Sequence, residues 1–451
     1  MGSPYRLLAV ALLVASAAGC SHPSLDGSTP PSGNGGGTGV IHTDGGTAAD
    51  VPRDTGPSRG PTPPMTGIRF PFPQNRMSAG CIYPTGYRNE DVQAAYARWK
   101  ADTVTADGAG GHLRIKRPND PGLDPSTTVS EGIGYGMLIA VYMGDAESQH
   151  LFDELWKYER LHLDENGLMD WYISADGSHS LGLGGAGDAD EDMAFALLMA
   201  DKQWGGKGSL DRNYLDYAKD QLNNIWLHEV VDSKLLSGGD HGFDWHCVNI
   251  SYFAPAYYRV FEKYDHVGAG LNGWDAVIKT VYDTITNALN PAVNGGQANA
   301  SNGLVPAWCD SSGPPNGACP TGATNYQYDS CRTPFRIGLD ACWFGSPDAK
   351  SYLAKTSSFF AGIGVSKIVD GYALNGTPQP TLAADGGQSA AFVGPAGVGA
   401  MSAPTYQSFV DQTYQAIASG KLLVGGTYYD ESWTVLSLLM MTGNFLDYTS
   451  Y

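Results

Sequence analysis

Basic residues are scarce in this chain: 27 Lys and Arg stand against 46 Asp and Glu among 451 residues, a formal net charge of −19. Such an acidic surface repels phosphate backbones, which argues against nucleic acid as a partner and leaves large neutral or cationic ligands open. Charged residues of both signs total only 16%, whereas hydrophobic residues reach 42%, so a chain disordered throughout is excluded. The apolar run near the amino terminus, Leu7–Ala18, is too short to span a bilayer as a helix, which takes about 20 residues. Metal-ligand spacings are missing too. Neither CxxC nor HExxH occurs, so neither a structural metal nor a cofactor is expected. Strand-like alternation is rare, and no fixed repeat length appears, which disfavours an α-solenoid.

The amino-terminal run is instead a signal peptide over residues 1–20, with Arg6 as its positive start and Ala17-Ala18-Gly19 ahead of Cys20. Small residues before a cysteine resemble a bacterial lipoprotein cleavage site, which makes Cys20 a candidate for lipidation; an ordinary secretory signal cut nearby is the alternative. Either reading exports the protein, as a surface lipoprotein or in secreted form. Residues 21–67 are rich in Gly, Pro, Ser and Thr and cannot bury enough apolar surface to offset ordering entropy, so they form a linker. The body is then residues 68–451. Six cysteines remain there, at 81, 247, 309, 319, 331 and 342, enough for three disulfides in an oxidising compartment. Cys309 and Cys319 flank a Pro/Gly-rich stretch and form the favoured pair. Cys331 and Cys342 fall in what reads as one helix, roughly 16 Å apart, so they should not bond each other.

Helical periodicity dominates the body. Met193, Leu197, Ala200 and Trp204 illustrate it, and twelve helix starts are expected near residues 90, 131, 147, 188, 210, 248, 270, 328, 349, 387, 404 and 427. Segments such as Met137–Tyr142 and Val435–Met441 are apolar on every side and must be buried. An inner layer of helices shielded by an outer one implies an all-α fold, an (α/α)6 barrel.

Three acidic clusters lie among Gly and aromatic residues. In Ser130-Glu131-Gly132-Ile133-Gly134-Tyr135-Gly136-Met137, Glu131 opens a helix, and the glycines are expected to let a large ligand approach the backbone. Asp188, Asp190, Glu191 and Asp192 crowd another helix start. They do not make a calcium loop, because Met193 and Met199 occupy its obligatory Gly and acid positions. They do not make a dinucleotide site either, because no hydrophobic strand leads into Gly182-x-Gly184-x-x-Gly187 and acids there would repel a pyrophosphate. In Tyr328-Asp329-Ser330-Cys331-Arg332, Asp329 and Arg332 would share a helix face, and the guanidinium would keep Asp329 ionised as a general base. Taken singly, each cluster also fits a plainer role: a dipole-favoured first-turn acid, a solvated acidic cap, or a structural ion pair. Taken together they suit glycosidic hydrolysis, which needs one protonated and one ionised carboxyl. A helix start favours ionised Glu131, so a neighbour such as Asp188 or an apolar wall must oppose that.

These stretches resemble glycoside hydrolase family 8. Ser130–Met137 is similar to the family's acid motif. Ala186-Gly187-Asp188-Ala189-Asp190, followed by a helix to Trp204, is similar to its hallmark. The likeness continues through Ser251–Tyr258, Thr427-Tyr428-Tyr429-Asp430 and Thr442–Phe445. The resemblance implies an (α/α)6 barrel with an open cleft and an inverting mechanism. Glu131 would be the general acid, Asp329 the general base, and Asp188 the acid that positions the sugar, also labelled a nucleophile. Inversion implies roughly 6.5–9.5 Å between Glu131 and Asp329. Arg332 and Tyr328 would orient Asp329. Trp171 would stack on a sugar ring, and Tyr252, Tyr429 and Tyr135 would be further substrate contacts. Gly187 stands where the family has Ser or Thr, and Ile133 where it has Gln, so the subsite at the cleavage point should differ. The implied activity is endo-hydrolysis of β-1,4-glucan, with xylan next and chitosan less favoured. A catalytically silent carbohydrate-binding lipoprotein is the reading from another class. A monomer is expected, touching a membrane only through its lipid.

Overall fold

The computed structural model describes residues 67–118, 124–265, 268–380, 387–423 and 428–451. The signal peptide, Cys20 and nearly all of the linker lie outside the described residues. Twelve α-helices occur among the described residues: α1 Asn89–Thr103, α2 Ser130–Met143, α3 Ala146–Glu159, α4 Gly187–Gln203, α5 Tyr214–His228, α6 Pro255–Phe261, α7 Gly273–Ala288, α8 Thr333–Phe344, α9 Pro347–Ile363, α10 Ala390–Ala400, α11 Gln407–Ala418 and α12 Tyr428–Met441. None among the described residues is long and apolar enough to cross a membrane.

The even-numbered helices contact one another in a closed ring: α2 on α4, α4 on α6, α6 on α8, α8 on α10, α10 on α12, and α12 back on α2. Each odd-numbered helix packs outside, against its even-numbered neighbour. This is an (α/α)6 barrel, and residue chemistry explains the two layers. Every residue of α10 is buried, and so is every residue of α2 except Glu131. Outer helices bury one stripe only: α7 turns Trp274, Val277, Ile278, Val281 and Ile285 inward.

Helix starts fall close to the expected positions, with two informative departures. α6 begins at Pro255 and α8 at Thr333, whose next residue is Pro334. Proline is favoured in the first turn because its missing N–H would be unpaired there anyway. Asp329 therefore lies in a turn ahead of α8, and Arg332 caps the helix, so the two do not share a helix face.

The Cys309–Cys319 pairing is incorrect. The disulfides are Cys247–Cys319 and Cys81–Cys342, and Cys309 and Cys331 are buried free thiols. Backbone pairing of Val248 with Cys309 (N···O 2.8 and 3.0 Å) brings residue 247 beside the 309–319 loop, so Cys247 reaches Cys319 first.

Candidate active site

The amino-terminal ends of α2, α4, α8 and α12 meet at one end of the barrel, and Arg332 joins them. Its Nη1 donates to Glu131 Oε2 at 2.6 Å, to Tyr135 Oη at 3.2 Å, and to Asp188 Oδ2. Its Nε donates to Ser251 Oγ at 3.1 Å, and its guanidinium lies 4.9 Å from the Tyr252 ring centroid. One cation thus serves two carboxylates whose sequence positions are 201 and 144 residues away. The Glu131 side chain is 20% exposed while that of Asp188 is only 3% exposed. Glu131 is the carboxyl open to an incoming ligand; Asp188 sits beneath it. Burial pushes the Asp188 carboxyl up to about 7, against the pull of Arg332 and with the help of Glu131.

Both oxygens of Glu131 accept hydrogen bonds, Oε2 from Arg332 and Oε1 from the Tyr428 hydroxyl. A phenol can also accept, so the same contact accommodates a protonated Glu131. Tyr428 lies in the Thr427–Asp430 stretch, but nothing local distinguished it from Tyr429. The helix start is itself anchored by a short sheet, in which Thr128 and Val129 pair with Ile173 and Tyr172, and Ser130 N–H donates to Trp171 C=O at 3.0 Å. Trp171 is thereby seated beside Glu131, partly exposed, with Gly182 lying against its indole: an added Cβ there would be 2.3 Å from a ring atom.

Asp329 is partly exposed and is held by Gln327, whose Nε2 donates to Oδ2 at 2.8 Å. Burial raises the Asp329 carboxyl, Arg332 and Gln327 oppose that rise, and Glu131 adds to it. The expected orienting partners are corrected here. Arg332 acts on Asp329 through charge and spends its hydrogen bonds on Glu131, Asp188, Tyr135 and Ser251. The Tyr328 hydroxyl donates to Asp370 at 3.2 Å, and the Tyr328 carbonyl accepts from Tyr429 at 3.0 Å. Tyr429 therefore braces the turn that carries Asp329. The sequence reading does not single out Gln327, although an amide two residues ahead of a carboxylate is a local signal.

Tyr135, expected to touch substrate, is 0% exposed and bonded to Arg332, so it shapes the guanidinium rather than a sugar surface. Tyr252 is partly exposed and lies edge-on to buried Trp308 at 5.9 Å.

The glycines after Glu131 serve helix packing, not ligand approach. A Cβ on Gly134 would lie 3.0 Å from Asp192 Cβ, and one on Gly136 would lie 2.7 Å from Leu155 Cδ1. Ile133 is fully buried in the core and lines no subsite. A Cβ on Gly187 would lie 2.7 Å from the Ser237 carbonyl oxygen, so the absence of Ser or Thr there matches a close approach of the 237–239 segment.

The remaining acids of the second cluster are buried and individually partnered, which excludes a solvated cap. Asp190 accepts from Gln221 at 2.9 Å, Glu191 from Tyr258 at 2.8 Å, and Asp192 pairs with Arg336 through two bonds, one of 2.8 Å.

The profile of glycosyl hydrolases family 8 matches residues 75–443. The chain belongs to that family and is a glycoside hydrolase. It is 37% identical over 78% of its length to "Endoglucanase A" of Acetivibrio thermocellus, 69% of which is covered. It is 32% identical over 84% of its length to "Beta-glucanase" of Niallia circulans, 91% of which is covered. Among solved structures, "Beta-1,3-1,4-glucanase from Paenibacillus sp.X4" in its apo form is 30% identical, with a TM-score of 0.73 over 84% of this chain and all of the other.

Proposed function

We propose that this glycoside hydrolase is an endo-acting, inverting enzyme on β-1,4-linked glucan, with Glu131 as general acid and Asp329 as general base. The carrying observation is that these two carboxyls are the partly exposed ones around Arg332, while Asp188 is buried beneath. Glu131 protonates the glycosidic oxygen as the bond breaks, Asp329 takes a proton from the attacking water, and the water oxygen bonds the anomeric carbon from the opposite face. Asp188, locked to Arg332, positions the sugar at the cleavage point. Its burial supports positioning over nucleophilic attack. Two relatives named as endoglucanase and β-glucanase, each above 30% identity, support a glucan substrate.

Export is part of the same reading. The apolar Leu7–Ala18 run supports it, as do two disulfides, which persist in oxidising compartments.

The test is reducing-end release by residues 66–451 on soluble β-glucan, xylan and chitosan, with Glu131→Gln in parallel. Fastest release from β-glucan, a product born in the α-anomeric form by NMR, and at least about 1,000-fold loss in the variant are expected. Release from none of the three polymers, or a product born as the β-anomer, would overturn the reading.

A further inference from the structure

We propose that Asp164, Asp240 and His241 bind one divalent d-block cation, of the zinc or manganese type, behind the turn that leads into Asp188. These residues come from two loops, one after α3 and one ahead of α6. One ligand atom from each lies within 4.8 Å of the other two. His241 Nδ1 hydrogen-bonds with Asp240 Oδ1 at 2.6 Å and lies 3.9 Å from Asp164 Oδ2. Donors around a tetrahedral cation with bonds near 2.0–2.1 Å sit roughly 3.3 Å apart, so a bound ion would replace that hydrogen bond, spreading the Asp240–His241 pair and drawing Asp164 in.

An independent feature points to a cation between these groups. The Asp164 side chain is 6% exposed, and its Oδ2 has no hydrogen-bond partner. Its Oδ1, in contrast, accepts the N–H groups of Asn166 at 2.8 Å and Leu168 at 3.0 Å. Leaving a buried carboxylate oxygen unpaired is costly, and this one faces the other two groups. Asp240 has a fully buried side chain, oriented by Gly185 N–H at 2.9 Å and Asn166 Nδ2 at 2.6 Å. Such donors around a ligand carboxylate act as the outer shell of a metal site does. Among the described residues no Lys or Arg forms an ion pair with Asp164 or Asp240; the ion-pair contact of both is His241. A dication would neutralise the two carboxylates while the imidazole stays uncharged. The imidazole nitrogen selects a d-block ion over calcium or magnesium, which prefer oxygen alone. His241 is 47% exposed, which gives the ion a path in and room for a water as its fourth ligand.

The cluster packs directly on Gly184 and Gly185. A Cβ on Gly184 would lie 2.6 Å from His241 Nδ1, and Asp240 accepts from the Gly185 N–H. A bound cation therefore ties both loops to the segment that enters α4 three residues before Asp188.

The full chain, stripped with a chelator, is titrated with Zn2+, Mn2+ and Ca2+ by calorimetry and followed by thermal unfolding. One equivalent of Zn2+ or Mn2+ should bind at about micromolar Kd or tighter and raise Tm, with Ca2+ at least tenfold weaker. Asp164→Asn and His241→Ala should each weaken binding by about 10–100-fold and remove the Tm shift. Asp283→Asn, an exposed carboxylate on α7, should change neither. The proposal is overturned if neither d-block ion binds saturably, if binding survives both ligand variants, or if Ca2+ binds most tightly. These readouts do not involve hydrolysis, so they stand or fall separately from the proposed activity.

Discussion

Gln327 and Asp329 hold each other twice: the Gln327 Nε2 donates to Asp329 Oδ2 at 2.8 Å, and the Asp329 backbone N–H donates back to Gln327 Oε1 at 3.2 Å. The side-chain bond favours the ionised form of Asp329, opposing the rise that burial causes. Removing it must therefore raise the Asp329 carboxyl further. Gln327→Leu should shift the acid limb of the kcat/KM profile to higher pH and lower kcat about 10–100-fold, with Tm nearly unchanged. A profile that keeps its acid limb would deny Gln327 this role.

Arg332 is the next point of leverage, because a single buried cation serves Glu131 and Asp188. Arg332→Met should cost on the order of 3–5 kcal/mol of stability, since it leaves a buried charge uncompensated. Adding Asp188→Asn should recover part of that loss without restoring activity. Urea unfolding of the single and double variants, with reducing-sugar assays alongside, measures both.

Glu159, at the end of α3, is fully buried, and neither of its carboxylate oxygens has a hydrogen-bond partner. Burial pushes its carboxyl up to about 8 from an ordinary value of 4.5. A raised carboxyl pKa means the folded state binds the proton more tightly. Its contribution is intact below the ordinary value and is lost as pH rises towards the folded one. Glu159→Gln should therefore stabilise the protein at pH 8 by on the order of 2–4 kcal/mol and have little effect at pH 4.5. Denaturant midpoints at the two pH values decide it; an equal effect at both would refute the assignment.

The cysteines give a simple chemical test. Non-reduced peptide mapping of residues 66–451 should recover Cys81 linked to Cys342 and Cys247 linked to Cys319. Two thiols, Cys309 and Cys331, should react with a thiol reagent only after unfolding, because both are fully buried. Breaking the Cys81–Cys342 link, which closes a loop of 261 residues, should cost about 2–5 kcal/mol.

Much of the architecture was legible without coordinates. Apolar residues recurring at helical spacing located twelve helices, and the segments apolar all round were those of the inner ring. Where boundaries slipped, as at α8, a proline marked the true start. Glu131, Asp188, Asp329 and Arg332 lie in stretches that singly fit plainer roles; the four acids from Asp188 to Asp192 exceed what capping needs, and it is the three clusters together that suit glycosidic hydrolysis.

Their partners did not stand out. Nearness in sequence pairs Arg332 with Asp329, three residues away, but its hydrogen bonds cross 201 residues to Glu131 and 144 to Asp188. Nearness likewise pairs Cys319 with Cys309, yet Cys319 bonds Cys247, 72 positions away. The glycines of the acid motif looked like room for a ligand and are contact points between helices. Local periodicity and composition determine which residues are helical and which face is buried, because these depend on the chain's own geometry. Which side chain meets which across the barrel is decided only when six inner helices close their ring, since that closure alone sets the distances over which hydrogen bonds and charges act.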